Sequence, residues 1–178
     1  ENSNRDFYVA LDTESYPLPE YGDKASALDP HTSRVRLISL YWDRPIVIDC
    51  KWVDPSPLLQ FLIDNQIECI AHNAMHDIKA IRGTFDLTLP MRCTLVALST
   101  LAVSTGWKAT LFRGKGLKDM ARDFFSIHLR KDLGTSDWSN DNLTDDQLAY
   151  SAMDVAAPKN SDVESIIISA YQQIKEVC

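Results

Sequence analysis

The apolar positions of this chain fall into short runs in the first half and into longer, helically spaced segments in the second half. Short apolar runs rich in β-branched residues are typical of buried strands. Helical segments instead repeat their apolar residues three and four positions apart. On these criteria the sequence predicts strands over 7–12, 34–42, 44–50 and 67–71, and helices over 55–65, 73–82, 94–104, 116–125, 144–157 and 162–177.

Residues with strong capping preferences mark several of the helix boundaries. Asp54-Pro55 offers an N-cap and a first-turn proline for the first helix. Asn73 is placed to cap the second helix, and Gly83 to end it. Thr144 and Gln147 form the Thr-x-x-Gln pattern of a capping box, which predicts the start of the fifth helix.

The order of these elements predicts an α/β fold. Strands come first and helices later, but helices also lie between strands, as expected for one mixed sheet covered by helices on both faces. The stretch from about residue 15 to 32 is rich in Pro, Gly, Asp and Ser, so we expect a long inserted loop after the first strand.

Composition predicts a single globular domain over residues 1–178, with 45% hydrophobic and 24% charged residues. No apolar run approaches the roughly 20 residues that span a bilayer, so no membrane partner is expected. Because the first residue is not Met, we expect a domain excised from a longer chain. The four cysteines lack CxxC or metal-finger spacing, which favours an intracellular, reducing compartment such as the cytoplasm, the nucleoid or an organelle matrix.

The charges are unevenly distributed along the chain. The net charge is −7, yet residues 108–131 carry seven basic and two acidic side chains. A basic island of this kind is often a solvated helix face. If the chain also binds a metal ion, as the acidic residues described next predict, the basic island is better interpreted as a surface that contacts a phosphate backbone. Arg113, Lys115 and Lys118 are the candidates for that contact.

Four carboxylates lie inside apolar runs in three separate segments. They are Asp12 and Glu14 in VALDTES, Asp77 in AHNAMHD and Asp154 in AYSAMD. An ionised carboxylate in apolar surroundings costs several kcal/mol unless it is neutralised. Oxygen ligands of this kind suit divalent cations such as Mg²⁺ or Mn²⁺.

The spacing of these residues predicts that they converge. Asp12 and Glu14 are two apart on a strand, so both side chains point to the same face of the sheet. Tyr150 and Asp154 are four apart on a helix and also share a face. Asp77 follows a buried strand closely. Four carboxylates at one edge of a sheet would repel one another, and two bound cations would relieve that repulsion while supporting phosphoryl transfer.

The three acidic segments resemble the three motifs of the DEDD exonucleases, and Tyr-x-x-x-Asp over 150–154 resembles the tyrosine subclass, DEDDy. That group includes ribonuclease D and the proofreading domain of family A DNA polymerases. The resemblance covers nearly the whole chain and also includes GLKDMA (116–121), SDW (136–138) and the stretch 143–155. It implies a ribonuclease H-like fold.

The resemblance also implies roles for individual residues. Asp12, Glu14 and Asp154 would hold the metal ion that activates water, and Asp12 and Asp77 would serve the second ion. Tyr150 would orient the attacking water.

Further positions are implied to lie beside the substrate. Leu28 is the better match to a leucine that wedges against the last base, although Leu18 lies at the usual offset and leaves the assignment open. His72 and His76 could instead share a metal with Asp77, but no third imidazole has suitable spacing. The implied substrate-binding set is Ser15, Leu28, His72, Asn73, His76, Arg113, Lys115 and Lys118.

We therefore expect a 3′→5′ exonuclease that acts on a single-stranded 3′ end, DNA in preference to RNA, and releases nucleoside 5′-monophosphates with two Mg²⁺ or Mn²⁺ ions. A role in replication or repair, with a polymerase or helicase module in the same or a partner chain, is compatible with the resemblance. One alternative is an HD-type metallophosphohydrolase, which would need an all-helical fold. The other is a nucleic-acid binding module without catalysis.

Overall fold

The computed structural model describes residues 8–22, 27–104, 116–125, 128–129 and 133–156. Its strands are β1 (Tyr8–Pro17), β2 (Ser33–Tyr41), β3 (Pro45–Asp49), β4 (Glu68–Ala71) and β5 (Met91–Cys93). Its helices are α1 (Ser56–Asp64), α2 (Met75–Phe85), α3 (Thr94–Ser104), α4 (Leu117–Phe125) and α5 (Asp145–Ala156). The four predicted strands and the first five predicted helices are confirmed, and the helix predicted over 162–177 lies outside the described residues.

The strands form one mixed sheet in the order β3-β2-β1-β4-β5. The β1–β2 and β2–β3 pairs are antiparallel, whereas β4 pairs in parallel with both β1 and β5. The mixed sheet was therefore predicted correctly. Strand β5 was missed because three residues are too short for a periodic signal.

Helices cover both faces of the sheet. Residues of α1 and α2 pack on one face, where Leu59 and Ile81 join a core cluster with Ile38. The neighbouring residue Leu37 belongs to a second cluster, which includes Tyr150 of α5. Because consecutive strand residues point to opposite faces, α5 lies on the other side of the sheet from α1 and α2.

Two predicted helix boundaries are wrong. The side chain of Asn73 does not cap α2; its backbone is left-handed, with φ of 62°, and Ala74 is the N-cap residue. Nor does Gly83 end α2, which continues to Phe85 and stops at the left-handed Asp86. Glycine is needed at position 83 for a different reason: an added Cβ would lie 2.6 Å from the backbone oxygen of Pro30.

The other capping predictions are largely confirmed. Thr144 and Gln147 form the capping box, because the Gln147 N–H donates to Thr144 Oγ1 (3.2 Å) and the Thr144 N–H donates to Gln147 Oε1 (3.0 Å). Asp54 accepts from the Ser56 N–H at 2.9 Å, although the N-cap residue of α1 is Pro55. Helix α3 is buried on one side, where Ala97 is 1% exposed, and open on another, where Val96 is 60% exposed.

The predicted insertion begins later than expected, because β1 continues to Pro17. Its two ends meet where the Leu18 N–H donates to the Thr32 carbonyl at 2.8 Å. The described cysteines Cys50, Cys69 and Cys93 are not in disulfide bonds. Within the described part of the chain, no helix has both the length and the apolar character needed to cross a membrane.

Candidate active site

Strand β1 carries the first two carboxylates of the site. Asp12 and Glu14 alternate with buried Thr13 and Ser15, so both point to the same face of the sheet as predicted. Their partners on β2 are Ser39 and Leu37, respectively. Both of those residues contact α5, which places the helix over the two carboxylates.

Helix α5 carries Tyr150 and Asp154 and is fixed over β2 by buried contacts. Ser39 and Ser151 are both fully buried, and their hydroxyls are hydrogen bonded to each other. Tyr150 packs in one cluster with Leu37. These contacts hold the last turns of α5 directly against the strand residues that pair with the β1 carboxylates.

Three of the four carboxylates that were predicted to converge lie together in one group. Asp12, Glu14 and Asp154 each offer a carboxylate oxygen, and these oxygens lie within 4.8 Å of one another. Such a group of oxygen atoms matches the ligand preference of Mg²⁺ and Mn²⁺.

Asp77 joins the cluster from the start of α2. The pairing of β1 with β4 ends at Ala10 and Ile70. Beyond it, Thr13 donates to Asp77 Oδ1 through both its backbone N–H (3.0 Å) and its hydroxyl (2.8 Å). Asp77 is 2% exposed, and its charge acts on both Asp12 and Glu14.

Burial and mutual repulsion disfavour ionisation of these carboxyls. Burial, then the charges of Asp77, Glu14 and Asp154, raises the pKa of Asp12 well above its usual range. Burial, followed by the charges of Asp154 and Asp77, raises the pKa of Glu14 to about 9. Burial also raises the pKa of Asp77 to about 7, opposed by the hydrogen bonds from Thr13.

A divalent cation fits this site chemically. It would favour the ionised form of each carboxylate that contacts it, and so offset the repulsion that raises these pKa values. Among the described residues, no imidazole belongs to the group of potential metal ligands. The mixed sheet also excludes the all-helical HD-type alternative.

Tyr150 remains a neutral phenol beside the carboxylates. Its pKa is raised by burial first, and then by the charge of Asp154 and a hydrogen bond to that residue. Because this bond raises the pKa of Tyr150, it favours the protonated phenol, and the Tyr150 hydroxyl is the donor. The Tyr150 hydroxyl can therefore donate a hydrogen bond and orient a bound molecule, but it is not suited to remove a proton.

An open cleft of about 780 Å³ adjoins the carboxylates. One wall is formed by residues 14–19 together with Gly22, Ala27 and Leu28, and the other by residues 134–139. Ser15, Leu18 and Leu28 all line it, so the structure brings together the predicted Ser15 and both candidate wedge leucines. Leu28 is 73% exposed, so it is available for contact at the rim.

The remaining predicted substrate residues lie at the β4–α2 junction or on the basic island. His72 Nδ1 is hydrogen bonded to the buried Thr94 hydroxyl at 2.9 Å. Asn73 is exposed, and burial lowers the pKa of the half-buried His76, which favours its neutral form. Lys118 is exposed on α4, whereas Arg113 and Lys115 lie outside the described residues.

Sequence reasoning missed the residues that support the site. Thr13 lies on the opposite face from Asp12, and the Ser39–Ser151 contact joins residues 112 positions apart. No short motif signals such contacts. The alternation of β1 could have placed Thr13 on the face opposite Asp12. The contact with Asp77 also depends on where the β1–β4 pairing ends, and the sequence does not show that position.

A model of a 3′-5′ exonuclease family matches residues 1–158 of the chain. No curated protein matches the sequence of this chain. Several solved structures share its fold. Brucella melitensis NrnC bound to pGG is 22% identical, with a TM-score of 0.72, and the match covers 98% of this chain and 78% of NrnC.

Two other solved structures are similar. Escherichia coli RNase D, described as an exoribonuclease involved in structured RNA processing, is 22% identical with a TM-score of 0.67; the match covers 94% of this chain and 43% of RNase D. The Aedes aegypti Nibbler EXO domain is 18% identical with a TM-score of 0.69, covering 96% of this chain and 81% of that domain. At these identities the likeness concerns the fold, which is the expected ribonuclease H-like α/β arrangement.

Proposed function

The chain belongs to the 3′-5′ exonuclease family, and we propose that it removes nucleotides one at a time from the 3′ end of single-stranded nucleic acid, releasing nucleoside 5′-monophosphates. The observation that carries this proposal is the group of Asp12, Glu14 and Asp154 oxygens within 4.8 Å of one another beside the cleft. A phosphodiester in the cleft would thus lie next to a site suited to divalent cations. The complete set of carboxylates also supports catalysis over a role in binding alone.

The carboxylates would hold two Mg²⁺ or Mn²⁺ ions. Asp12, Glu14 and Asp154 would bind one ion, and Asp12 and Asp77 the other. When bound, such a pair supplies a hydroxide at neutral pH and stabilises the leaving 3′ oxygen. The fold neighbour NrnC, which is 23% identical, has also been solved with bound Mg²⁺, and this supports a divalent cation here.

The protein residues around the ions would position the reactants. Tyr150, held as a neutral phenol, would orient the attacking water by hydrogen bonding. Ser15 and Leu28 would contact the terminal nucleotide in the cleft, and His72, Asn73 and His76 would approach it from the β4–α2 junction. Beyond these, Arg113, Lys115 and Lys118 would contact the phosphate backbone.

The identity of the nucleic acid belongs to this proposal as well. The sequence favours DNA, but the fold neighbour RNase D is described as an exoribonuclease. We therefore propose single-stranded RNA as a substrate alongside DNA. A polymerase or helicase partner and a role in replication or repair stay predictions from the sequence.

Hydrolysis of end-labelled strands tests the proposal. Single strands of DNA and RNA, labelled at either the 5′ or the 3′ end, would be incubated with Mg²⁺, Mn²⁺ or chelator. We expect a ladder of shortened 5′-labelled products, immediate release of the label from 3′-labelled strands as a mononucleotide, and no reaction in chelator. Internal cleavage, or shortening from the 5′ end, would contradict the proposal.

A further inference from the structure

A β-bulge lies beside the carboxylate cluster. Along β1 and β2, Glu14 pairs with Leu37 but the next residue, Ser15, pairs with Val35. Arg36 is therefore an extra residue in β2, opposite the bond between Glu14 and Ser15. Bulges of this kind redirect a side chain and bend the strand locally.

The redirected Arg36 side chain is buried and its hydrogen-bonding capacity is fully used. It is 1% exposed. Nε and Nη2 donate to the two carboxylate oxygens of Asp49, at 2.7 and 2.9 Å. Nη1 donates to the carbonyls of Trp138 (3.0 Å) and Asn140, and Nη2 also donates to the carbonyl of Asp141 (3.2 Å).

These five bonds engage all five N–H donors of the guanidinium group. Lysine carries the same charge but has only three donors and no planar fork, so it could not replace arginine here. The arrangement thus depends on arginine in particular.

The segment that Arg36 holds, residues 138–141, contributes to the cleft wall and lies just before α5 in the chain. Trp138 lines the cleft, and its ring packs near that of Tyr150, with 6.3 Å between centroids. Gln147 of α5 donates to the Ser136 hydroxyl (3.1 Å) and the Asp137 carbonyl (3.2 Å). A shift of this segment would therefore move the cleft wall and the surroundings of Tyr150 together.

We propose that Arg36 is a positioning residue for hydrolysis, which acts by fixing the 138–141 segment and, through Trp138, the placement of Tyr150. This inference rests on the proposed exonuclease function. Arg36 itself contacts neither substrate nor metal ligands in this role. Loss of Arg36 would misplace Tyr150, the group that orients the attacking water. Small misplacements of reacting groups can lower a rate about 100-fold.

The test compares Arg36→Lys with a control of similar stability cost. Leu62→Ala is a suitable control because Leu62 is buried among the α1 and α2 contacts, on the opposite face of the sheet. All variants would be assayed at a temperature where circular dichroism shows them folded. For Arg36→Lys we expect kcat to fall about 10- to 100-fold while KM changes much less, and for Leu62→Ala we expect kcat near that of the wild type.

A double-mutant cycle separates positioning from general destabilisation. If Arg36 acts through Tyr150, Arg36→Lys should lower kcat by no more than about threefold in a Tyr150→Phe background, because the group that it positions is already missing. Effects that multiply fully in the double variant would overturn the proposal, as would a kcat for Arg36→Lys equal to that of Leu62→Ala.

If Arg36→Lys does not fold, Asp49→Asn decides the matter. This change removes half of the bidentate support for the guanidinium group but leaves its carbonyl acceptors. For Asp49→Asn we expect a smaller fall in kcat, about 3- to 10-fold, and no fall in the Tyr150→Phe background. A kcat for Asp49→Asn equal to that of the wild type would overturn the proposal. A wild-type enzyme without activity would instead refute the exonuclease function itself, so the two failures are distinguishable.

Discussion

At the scale of single residues, the site consists of acidic side chains that burial and neighbouring charges keep from ionising independently. Glu14 and Asp77 have pKa values raised to about 9 and about 7, and that of Asp12 is raised as well. The neutral residues Tyr150 and Thr13 contact this group from two sides. Each hydroxyl can be removed with little change in side-chain volume, so their contributions can be measured separately.

Removal of the Tyr150 hydroxyl should slow turnover without disturbing metal binding. Tyr150→Phe keeps the ring against Leu37 and Trp138. Loss of one positioned hydrogen bond in a preorganised site should lower kcat by about 10- to 1000-fold. Steady-state kinetics across a range of Mg²⁺ concentrations would measure this. Wild-type turnover would show that Tyr150 serves packing alone, and lost metal affinity would show that it mainly supports Asp154.

Removal of the Thr13 hydroxyl should raise the Mg²⁺ requirement. Thr13→Val deletes one of two hydrogen bonds that favour ionised Asp77, so the pKa of Asp77 should rise further. A hydrogen bond to a charged group contributes about 1.5–3 kcal/mol. We therefore expect about 7- to 80-fold more Mg²⁺ for half-maximal activity at pH 7, whereas the control Thr13→Ser should behave as wild type. An unchanged Mg²⁺ requirement in Thr13→Val would contradict this role.

The catalytic candidates could be predicted at this scale, whereas their supports could not. Asp12 and Glu14 followed from strand alternation, and Tyr150 and Asp154 from helical spacing. Arg36 has no such signal, since its burial depends on a bulge in β2 and on carbonyl groups more than 100 residues away.

At the scale of elements, residues 27–32, the described end of the segment between β1 and β2, contribute to one wall of the cleft and contact α2. Pro30 lies against Gly83, and the Val35 N–H donates to Thr84 Oγ1 at 3.0 Å. The Asp29 carbonyl also accepts from the Ser33 hydroxyl at 2.7 Å. These contacts fix the far end of the segment and so determine where Leu28 stands at the rim of the cleft.

A methyl group at position 83 should displace this wall. In Gly83→Ala the new Cβ would meet the Pro30 carbonyl oxygen at 2.6 Å, which is backbone and cannot rotate away. The usual gain of about 0.5–1 kcal/mol for alanine in a helix should therefore be lost. We expect a lower melting temperature and a KM for oligonucleotides raised several-fold, with kcat changed less.

Calorimetry and steady-state kinetics would check this prediction, with the exposed α2 position Lys79→Ala as control. A variant more stable than wild type, with unchanged KM, would show that the segment between β1 and β2 tolerates the displacement and does not shape the cleft.

The sequence predicted most elements because their periodicity is local. Its errors occur where tertiary contacts override local preference. Gly83 serves close packing against Pro30 rather than ending a helix, and Asn73 adopts a left-handed conformation instead of capping one. The three-residue β5 is defined only by its pairing with β4.

At the scale of the whole molecule, the cluster should make stability depend on pH. The folded-state pKa values of Glu14 and Asp77 lie above their ordinary values of 4.5 and 3.8. Between the ordinary and the raised values, the folded protein retains protons that the unfolded chain releases. Stability must therefore fall as the pH rises through this range.

Thermal unfolding in chelator should thus show a melting temperature that decreases from about pH 5 to about pH 9. Added Mg²⁺ binds the ionised carboxylates of the folded state, so it should restore more stability at high pH than at low pH. Glu14→Gln removes one of the titrating groups and should flatten the profile in chelator. A melting temperature that rises with pH in chelator would contradict these assignments.

The central claim is that the carboxylate cluster at the end of β1 binds the divalent cations that the exonuclease needs. The most direct measurement is the initial rate of nucleotide release by wild type and Asp12→Asn across a Mg²⁺ titration. Asparagine keeps the size of the side chain and removes its charge, so the variant should fold at least as stably as wild type without metal. We predict saturable Mg²⁺-dependent release by wild type and at least about 1000-fold less by Asp12→Asn at every Mg²⁺ concentration. Comparable rates for the two proteins, or release by wild type in chelator, would contradict the account.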